Sequence, residues 1–424
     1  MNSINPILSP TQMAAFDAIE RTNSNILILG PAGTGKSTFI NYLKGASKKR
    51  IVCACPTAVS ALNVGGQTIH SLFQIQPRDF IMPDLLKLKA KPRNILTATD
   101  VLVIDEISMV APDLLDAIDI LARYARRNNE PFGGIQVVGI GDLFQLPPVI
   151  TRDATQYYTT EYGYPNSYFF DSHVYARANF IKYNFDFVYR QSDITLRENL
   201  VRLRNNQTDA LEYFNSCQIS DATRRENAVI ITPFRAVAER INATRLAQIP
   251  QTEVTYNGVL SGTFAERDVP APLSLTLKVG ALVVFVKNGD KWHNGTTGIV
   301  RSLSAREITV KLLSDSRDIV TVKPDKWEKI EYSRDENDRL VENEVGSYKQ
   351  FPLNLGYAMT IHKAQGKTLD SVVVDISRGA FAHGQVYVAL SRTRNSSDMH
   401  IASPLRPRDV IFDNRVLEFV SCDA

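Results

Sequence analysis

The sequence predicts an α/β protein: a parallel sheet covered by helices, joined to a second half that carries a small all-β insertion. Three observations lead there. From residue 1 to about 150, short apolar runs alternate with helical stretches, the pattern of strand–helix units feeding a parallel sheet. One of those runs leads directly into a complete glycine-rich phosphate loop. From about 265 to 350 the pattern changes to short β-like pieces separated by charged turns.

The bulk composition is compatible with this architecture. A chain of 424 residues exceeds one core of ordinary size, so two or more domains are expected. Hydrophobic residues make up 44% and charged residues 22%, as in soluble globular proteins. A formal charge of +3 is only mildly basic. A nucleic-acid partner would therefore have to be held in a locally basic groove. No apolar run approaches the ~20 residues of a membrane span. Cys53, Cys55, Cys217 and Cys422 lack zinc-like spacing. Cys53 and Cys55 alternate on one apolar strand and read as a buried pair of free thiols. So few cysteines, without a signal peptide, place the chain in a reducing compartment. A cytoplasmic protein is expected, nucleoid-associated if bacterial.

The clearest strand runs are 25–29, 50–54, 100–104 and 136–140. Residues 112–127 place Leu114, Leu115, Ile118, Leu121, Ala122 and Ala125 at helical spacing, which predicts a helix with one buried face. The segment 157–189 holds 13 of the chain's Tyr and Phe residues. Aromatic faces could stack bases. The interspersed Ala, Ile and Val favour a buried connection into a second half. Strand-like runs resume there at 228–232 and 371–375.

Gly30-Pro31-Ala32-Gly33-Thr34-Gly35-Lys36-Ser37 matches the phosphate-loop pattern in full, with Thr38 following. Glycines let backbone N–H groups curl around phosphates, and a helix N-terminus behind them favours negative charge. Lys36 would reach the β- and γ-phosphates of ATP, and the Ser37 hydroxyl would ligate Mg²⁺. Asp105 and Glu106 follow an apolar strand, where carboxylates stand beside such a loop. Asp105 would hold Mg²⁺, and Glu106 would orient and deprotonate the attacking water. Asp142 and Gln145 follow the next strand. Gln145 could touch the γ-phosphate, or the segment could be a proline-terminated loop. Gln12 has two readings as well: it closes a capping box on Ser9 and Pro10, or its amide forks to adenine.

These pieces, in this order, resemble a superfamily 1 helicase. Residues 115–149, LDAIDILARYARRNNEPFGGIQVVGIGDLFQLPPV, are similar to the signature of the petite-integration-frequency (PIF) family of DNA helicases. Pro131-Phe132-Gly133-Gly134-Ile135-Gln136 is its most distinctive part. The likeness runs from Gln12 to Arg392, with RecD-like and phage Dda-like helicases as the nearest neighbours. It implies two RecA-like phosphate-loop motor domains. The first, 1–172, would carry a short insertion at about 71–95. The second, 173–264 with 351–424, would carry a Src-homology-three-type β-barrel at 265–350.

The resemblance also implies roles. Tyr189-Arg190-Gln191 resembles a motif whose arginine reaches the γ-phosphate, and Arg392 ends the last helicase motif as a second arginine finger. The catalytic set is then Lys36, Glu106, Gln145, Arg190 and Arg392. Nucleotide contacts add Gln12, the loop through Thr38, and Gly366. DNA contacts would come from Pro56, Thr57, His70, Phe73, Thr360, His362 and Lys363. Each has a plainer alternative. The threonines could be helix caps, the histidines structural, Lys363 solvated and the arginines surface ion pairs. Thr-Ile-His recurs at 68 and 360, though tripeptide coincidences are common in a chain this long. Residues 74–94, with Arg78, Lys87, Lys89, Lys91 and Arg93, are either an element that splits duplex or a solvated loop.

The implied activity is ATP- and Mg²⁺-dependent 5′-to-3′ translocation on single-stranded DNA by a monomer. Duplex would be unwound, with structured DNA such as G-quadruplexes. Single strands and duplex junctions are the expected partners, RNA–DNA hybrids a further one, and membranes none. Repair, recombination and telomere maintenance are the expected settings. Rival readings are an ATP-gated strand-gripping protein, a phosphate-loop ATPase without DNA, and an RNA motor.

Overall fold

The computed structural model describes residues 8–314, 318–337 and 339–422. The first half is a six-stranded parallel sheet. Its strands are β1 (Ile26–Leu29), β2 (Ile51–Cys55), β3 (Gln67–Thr68), β4 (Val101–Asp105), β5 (Gln136–Gly141) and β6 (Ile181–Asn184), in the order β3-β2-β4-β5-β1-β6. Four of these lie within a residue of the predicted runs, because continuous apolar stretches buried on both faces mark such strands. Leu29 stands opposite Gly141, and Asp105 opposite Ile140. The phosphate loop, Asp105-Glu106 and Asp142 therefore leave the sheet along one edge, the carboxyl ends of the strands, where ligands bind in open α/β sheets.

β6 corrects the expected boundary at 172. It pairs with β1 in the first sheet, so that sheet extends past residue 180. Ile181–Asn184 is an edge strand with no buried position, which leaves it without an apolar run to announce it.

The second half has a four-stranded parallel sheet. β7 (Val229–Thr232) opens it. A β region follows: β8 (Glu253–Asn257), β9 (Val259–Gly262), β10 (Ser274–Lys278), β11 (Leu282–Phe285), β12 (Thr297–Leu303), β13 (Ile308–Leu312), β14 (Ile319–Val322), β15 (Asp325–Arg334), β16 (Leu340–Gln350) and β17 (Leu353–Leu355). The chain then returns through β18 (Ala358–Thr360), β19 (Val372–Val374) and β20 (Met399–Ile401), giving the order β18-β7-β19-β20. The β region begins earlier and ends later than the expected 265–350, since β8, β9 and β17 pair with strands inside it. β14-β13-β12-β11-β17 form one antiparallel sheet with its own core, which includes Val283, Phe285, Val300, Val310 and Leu353. The β15–β16 hairpin leans on the first sheet. Cys53 N–H donates to the Tyr332 hydroxyl at 3.1 Å, and Tyr332 N–H donates to Gln67 Oε1 at 3.2 Å. Of the charged residues around this hairpin, Asp338 lies outside the described residues.

The helix Pro112–Arg126 buries its predicted apolar stripe and three aspartates besides. Asp113 accepts from Tyr158 Oη at 2.8 Å and Ile81 N at 2.7 Å. Asp116 accepts from Val174 N at 2.8 Å. Asp119 accepts from Phe132 N at 2.7 Å and Arg177 Nη2 at 3.0 Å. These bonds tie the aromatic segment to the first half, where Tyr158, Tyr168, Phe169 and Phe185 are buried as expected of a connection, while Tyr164, Phe187 and Tyr189 are exposed. They also explain the distinctive Pro131–Gly134 turn. Phe132 is fully buried at φ +55°, and its N–H is held by Asp119. That turn is a latch ahead of β5. Cys53 and Cys55 are free and buried together, as expected. Burial pushes the Cys53 thiol up to about 12. Among the described residues no helix is long and apolar enough to cross a membrane.

Candidate nucleotide and DNA site

After Leu29 the chain turns through the glycines and enters the helix Lys36–Ala46. Gly33 has φ +87°, and a Cβ there would stand 2.3 Å from the Arg190 Cβ. Only glycine fits that conformation and that approach. Tyr189 N–H donates to Gly33 O at 2.8 Å, so the Tyr189-Arg190 segment is laid directly on the phosphate loop. Lys36 Nζ donates to the carbonyls of Gly30 at 2.7 Å and Pro31 at 2.8 Å. Burial lowers its pKa, and the carboxylates of Asp142, Glu106 and Asp105 oppose that shift.

Asp105 ends β4 and is buried. Desolvation, reinforced by the Glu106 charge, raises its pKa to about 7. Glu106 has a left-handed backbone, φ +53°, of the kind that concentrates at functional turns. Burial raises its pKa as well, against the pull of Lys36, and its carboxylate accepts from Gln365 Nε2 at 3.2 Å. Gln145 is buried, and its amide donates to Asp142 Oδ2 at 2.9 Å.

Of the two arginines, Arg190 follows β6 on the segment that lies on the phosphate loop, and Arg392 comes from the second half, after the helix Gln385–Leu390. Arg190 Nη2 donates to Gly366 O at 3.3 Å, while its buried Nη1 has no partner among the described residues. Arg392 is wholly buried. It donates to Val388 O at 2.6 Å, Ala364 O at 3.2 Å, Lys367 O at 3.3 Å and Ser391 Oγ at 2.5 Å. Burial, with the Arg190 charge adding to it, brings its pKa down to about 9. Arg392 is therefore not a surface ion pair.

These residues fit Mg²⁺–ATP. The loop offers a backbone cradle ahead of a helix N-terminus, and Arg190 Nη1 is a buried donor free to meet an anion. Ser37 and Asp105 supply hard oxygen donors. Among the described residues there is no cluster of three or more His, Cys, Asp or Glu side chains for a metal. The Ser37 and Asp105 donor pair matches Mg²⁺ chemistry, in which one or two carboxylates are joined by water and phosphate oxygens.

Gln12 closes its capping box: Oε1 accepts from Ser9 N at 2.9 Å. Its Nε2 donates to Thr34 O at 3.1 Å, so the amide also braces the phosphate loop. The cap is present, and the same side chain also reaches the phosphate loop.

The proposed DNA residues fall on two parallel-strand ends. Pro56 and Thr57 follow β2, and Thr57 caps the helix Ala58–Val64, accepting from Ser60 N at 3.2 Å. Thr360 ends β18 and caps the helix Ile361–Ala364, accepting from Lys363 N at 3.2 Å. Both threonines are caps. The repeated Thr-Ile-His has one local form: Thr68 and Thr360 cap, Ile69 and Ile361 are fully buried, and the histidine turns outward. His70 is half-buried, and His362 and Lys363 are exposed.

Phe73 is a correction. It is 1% exposed and packs in the main core, where it cannot meet a DNA strand. In the five-residue helix Ile69–Phe73, positions 69, 72 and 73 share the inward face, which leaves 70 and 71 outside. Phe73→Ala is expected to cost about 3–5 kcal/mol of stability in denaturant unfolding, with strand affinity of the folded protein unchanged. Weakened strand binding at unchanged stability would restore Phe73 to the contact set. In the 74–94 stretch, Phe80 stacks on Tyr157 at 4.4 Å, and Lys91 pairs with Glu331 of β15.

Arg204 lies outside every motif read from the sequence. It ends the helix Ile194–Arg204 and pairs with Asp142 at 3.1 Å. A basic residue in a last helical turn is ordinary, so nothing local marks it.

The sequence profile of the PIF1-like helicase family matches residues 7–200, and a second profile described as helicase matches 293–420. The chain is 30% identical to the ATP-dependent DNA helicase Pif1 of Bdellovibrio bacteriovorus, over 97% of this chain and 91% of that one. It belongs to the PIF1-like helicase family. Pif1 from Bacteroides sp in complex with ADP-AlF4 is similar at a TM-score of 0.88 and 33% identity, over 98% of this chain and 97% of that one. Bacteroides Pif1 bound to ssDNA is similar at a TM-score of 0.69 and 34% identity, over 98% and 97%. The two parallel sheets are the RecA-like motor folds of a PIF1-like helicase, and the enzyme is an ATP-dependent DNA helicase.

Proposed function

We propose that this helicase translocates 5′ to 3′ along single-stranded DNA as a monomer, in the cytoplasm or on the nucleoid, and unwinds duplex and structured DNA such as G-quadruplexes. The carrying observation is the meeting of the phosphate loop and Glu106 of the first half with Gln365 and Arg392 of the second, and with Arg190 from the segment between them. Donors split between two halves make turnover depend on their approach, so each cycle moves one half against the other.

In this reading Lys36 leaves the Gly30 and Pro31 carbonyls for phosphate oxygens. Glu106, its affinity for protons raised by burial, takes the proton of the attacking water. Arg190 and Arg392 face the charge that spreads over the γ-phosphoryl oxygens. Ser37 and Asp105 would hold Mg²⁺, which when bound neutralises charge on the β- and γ-oxygens. The Thr57 and Thr360 caps, with Pro56, His70, His362 and Lys363, lie at strand ends in the two halves, as two alternating grips on one strand need. The Bacteroides relative bound to ssDNA supports the strand as ligand. The five-stranded antiparallel unit would act as a Src-homology-three-type domain holding the strand against the motor.

The test is unwinding of a duplex bearing either a 5′ or a 3′ single-stranded tail, with Mg²⁺–ATP. Unwinding from the 5′ tail alone is expected. Unwinding from the 3′ tail alone would reverse the polarity, and tail-stimulated hydrolysis with no strand separation would replace unwinding by gripping.

A further inference from the structure

Asp142 is wholly buried just beyond β5, and three side chains meet on it. Arg204 Nη2 donates to its Oδ1 at 3.1 Å. Its Oδ2 accepts from the Gln145 amide at 2.9 Å and the Tyr387 hydroxyl at 3.4 Å. The Arg204 guanidinium lies over the Phe144 ring at 4.4 Å and 5.7 Å from the Tyr387 ring. Tyr387 sits in the helix Gln385–Leu390, which runs straight into Ser391 and Arg392.

The surrounding backbone is as closely fitted. A Cβ at Gly384, φ +75°, would stand 2.3 Å from Gln145 O. His383 Nδ1 accepts from Asp413 N at 3.0 Å, so Nε2 carries the proton and donates to Leu143 O at 3.1 Å. The turn carrying Gln145 is thus gripped by the second half on two sides.

A buried carboxylate needs a counter-charge and hydrogen-bond donors to be held in place. Gln145 and Tyr387 are donors, and Arg204 is the paired cation. A guanidinium sandwiched between aromatic faces is fixed in orientation as well as in charge. We propose that Arg204 is a positioning residue for ATP hydrolysis: through Asp142 it fixes the Gln145 amide in the cleft and ties it to the helix leading to Arg392. This rests on the reading of Gln145 as a nucleotide-contacting amide.

The test measures kcat and KM for ATP in the full chain with saturating single-stranded DNA. The proteins are wild type, Arg204→Met, Gln145→Ala and the two changes combined. Arg204→Met and Gln145→Ala should each lower kcat about a hundredfold, with KM changed by no more than about threefold. The combined variant should be no slower than the slower single, because both act through one amide. Multiplied losses would overturn the proposal, as would wild-type kcat in Arg204→Met or a loss confined to KM. Wild-type turnover in Gln145→Ala would instead remove the premise, and would be recognised by that variant alone.

Arg204→Met leaves the Asp142 charge buried and unpaired, which can unfold a protein. Arg204→Met with Asp142→Leu removes both charges. It should melt above Arg204→Met, because no unpaired charge is left buried, and remain slow, since the anchor of Gln145 is gone. Recovery of wild-type turnover there would make the pair purely structural and overturn the proposal.

Discussion

Lys36→Ala should reduce DNA-stimulated ATP hydrolysis about a thousandfold or more. The side chain is half-buried in the mouth of the loop, held by the Gly30 and Pro31 carbonyls and surrounded by Asp142, Glu106 and Asp105. With three carboxylates converging there, Lys36 is the positive charge that the loop itself supplies to a triphosphate. Removing it leaves the phosphates beside three carboxylates with Arg190 and Arg392 as the remaining counter-charges. The loop itself should survive, because its shape is held independently by Gly33 against Arg190 and by the Gln12 bond to Thr34 O. Thermal melting should therefore change little while turnover and ATP binding collapse. Hydrolysis within about tenfold of wild type would show that catalysis does not pass through this loop.

Much of the first motor could be read in advance because its signals are local. The phosphate loop is contiguous, and β2, β4 and β5 are continuous apolar runs. What escaped depends on distant partners. β6 has no buried position, and only its pairing with β1 makes it part of the first sheet. Asp113, Asp116 and Asp119 look like the solvated face of an amphipathic helix. They are instead buried acceptors for a segment roughly forty to sixty residues further on. Phe73 sits in a motif read for DNA contact, but helical geometry turned it inward and left His70 outside. The second Thr-Ile-His looked like coincidence until both copies proved to cap helices at parallel-strand ends. Arg204 joins Asp142 across 62 positions of sequence, a separation that no motif spans.

Arg392→Ala should abolish hydrolysis while leaving strand binding intact, but the structure makes the plain experiment ambiguous. The guanidinium fills a fully buried site and serves carbonyls of Val388, Ala364 and Lys367. Truncation strands those acceptors and opens a cavity, with an expected cost of about 3–5 kcal/mol. A dead protein could simply be an unfolded one. Arg392→Lys separates the two roles. Lysine keeps a positive charge and most of the stem, so folding and single-strand affinity should stay near wild type. It has no planar fork to serve the carbonyls of two elements and also face a phosphoryl group. Loss of an arginine finger costs about 10³–10⁵ in turnover, and the lysine variant should fall at least two orders of magnitude with its strand affinity retained. If Arg392→Lys instead turns over ATP at the wild-type rate, the residue holds the helix Gln385–Leu390 in place and contributes nothing to phosphoryl transfer. Arg190, with its unpartnered Nη1, would then be the sole arginine acting on the nucleotide.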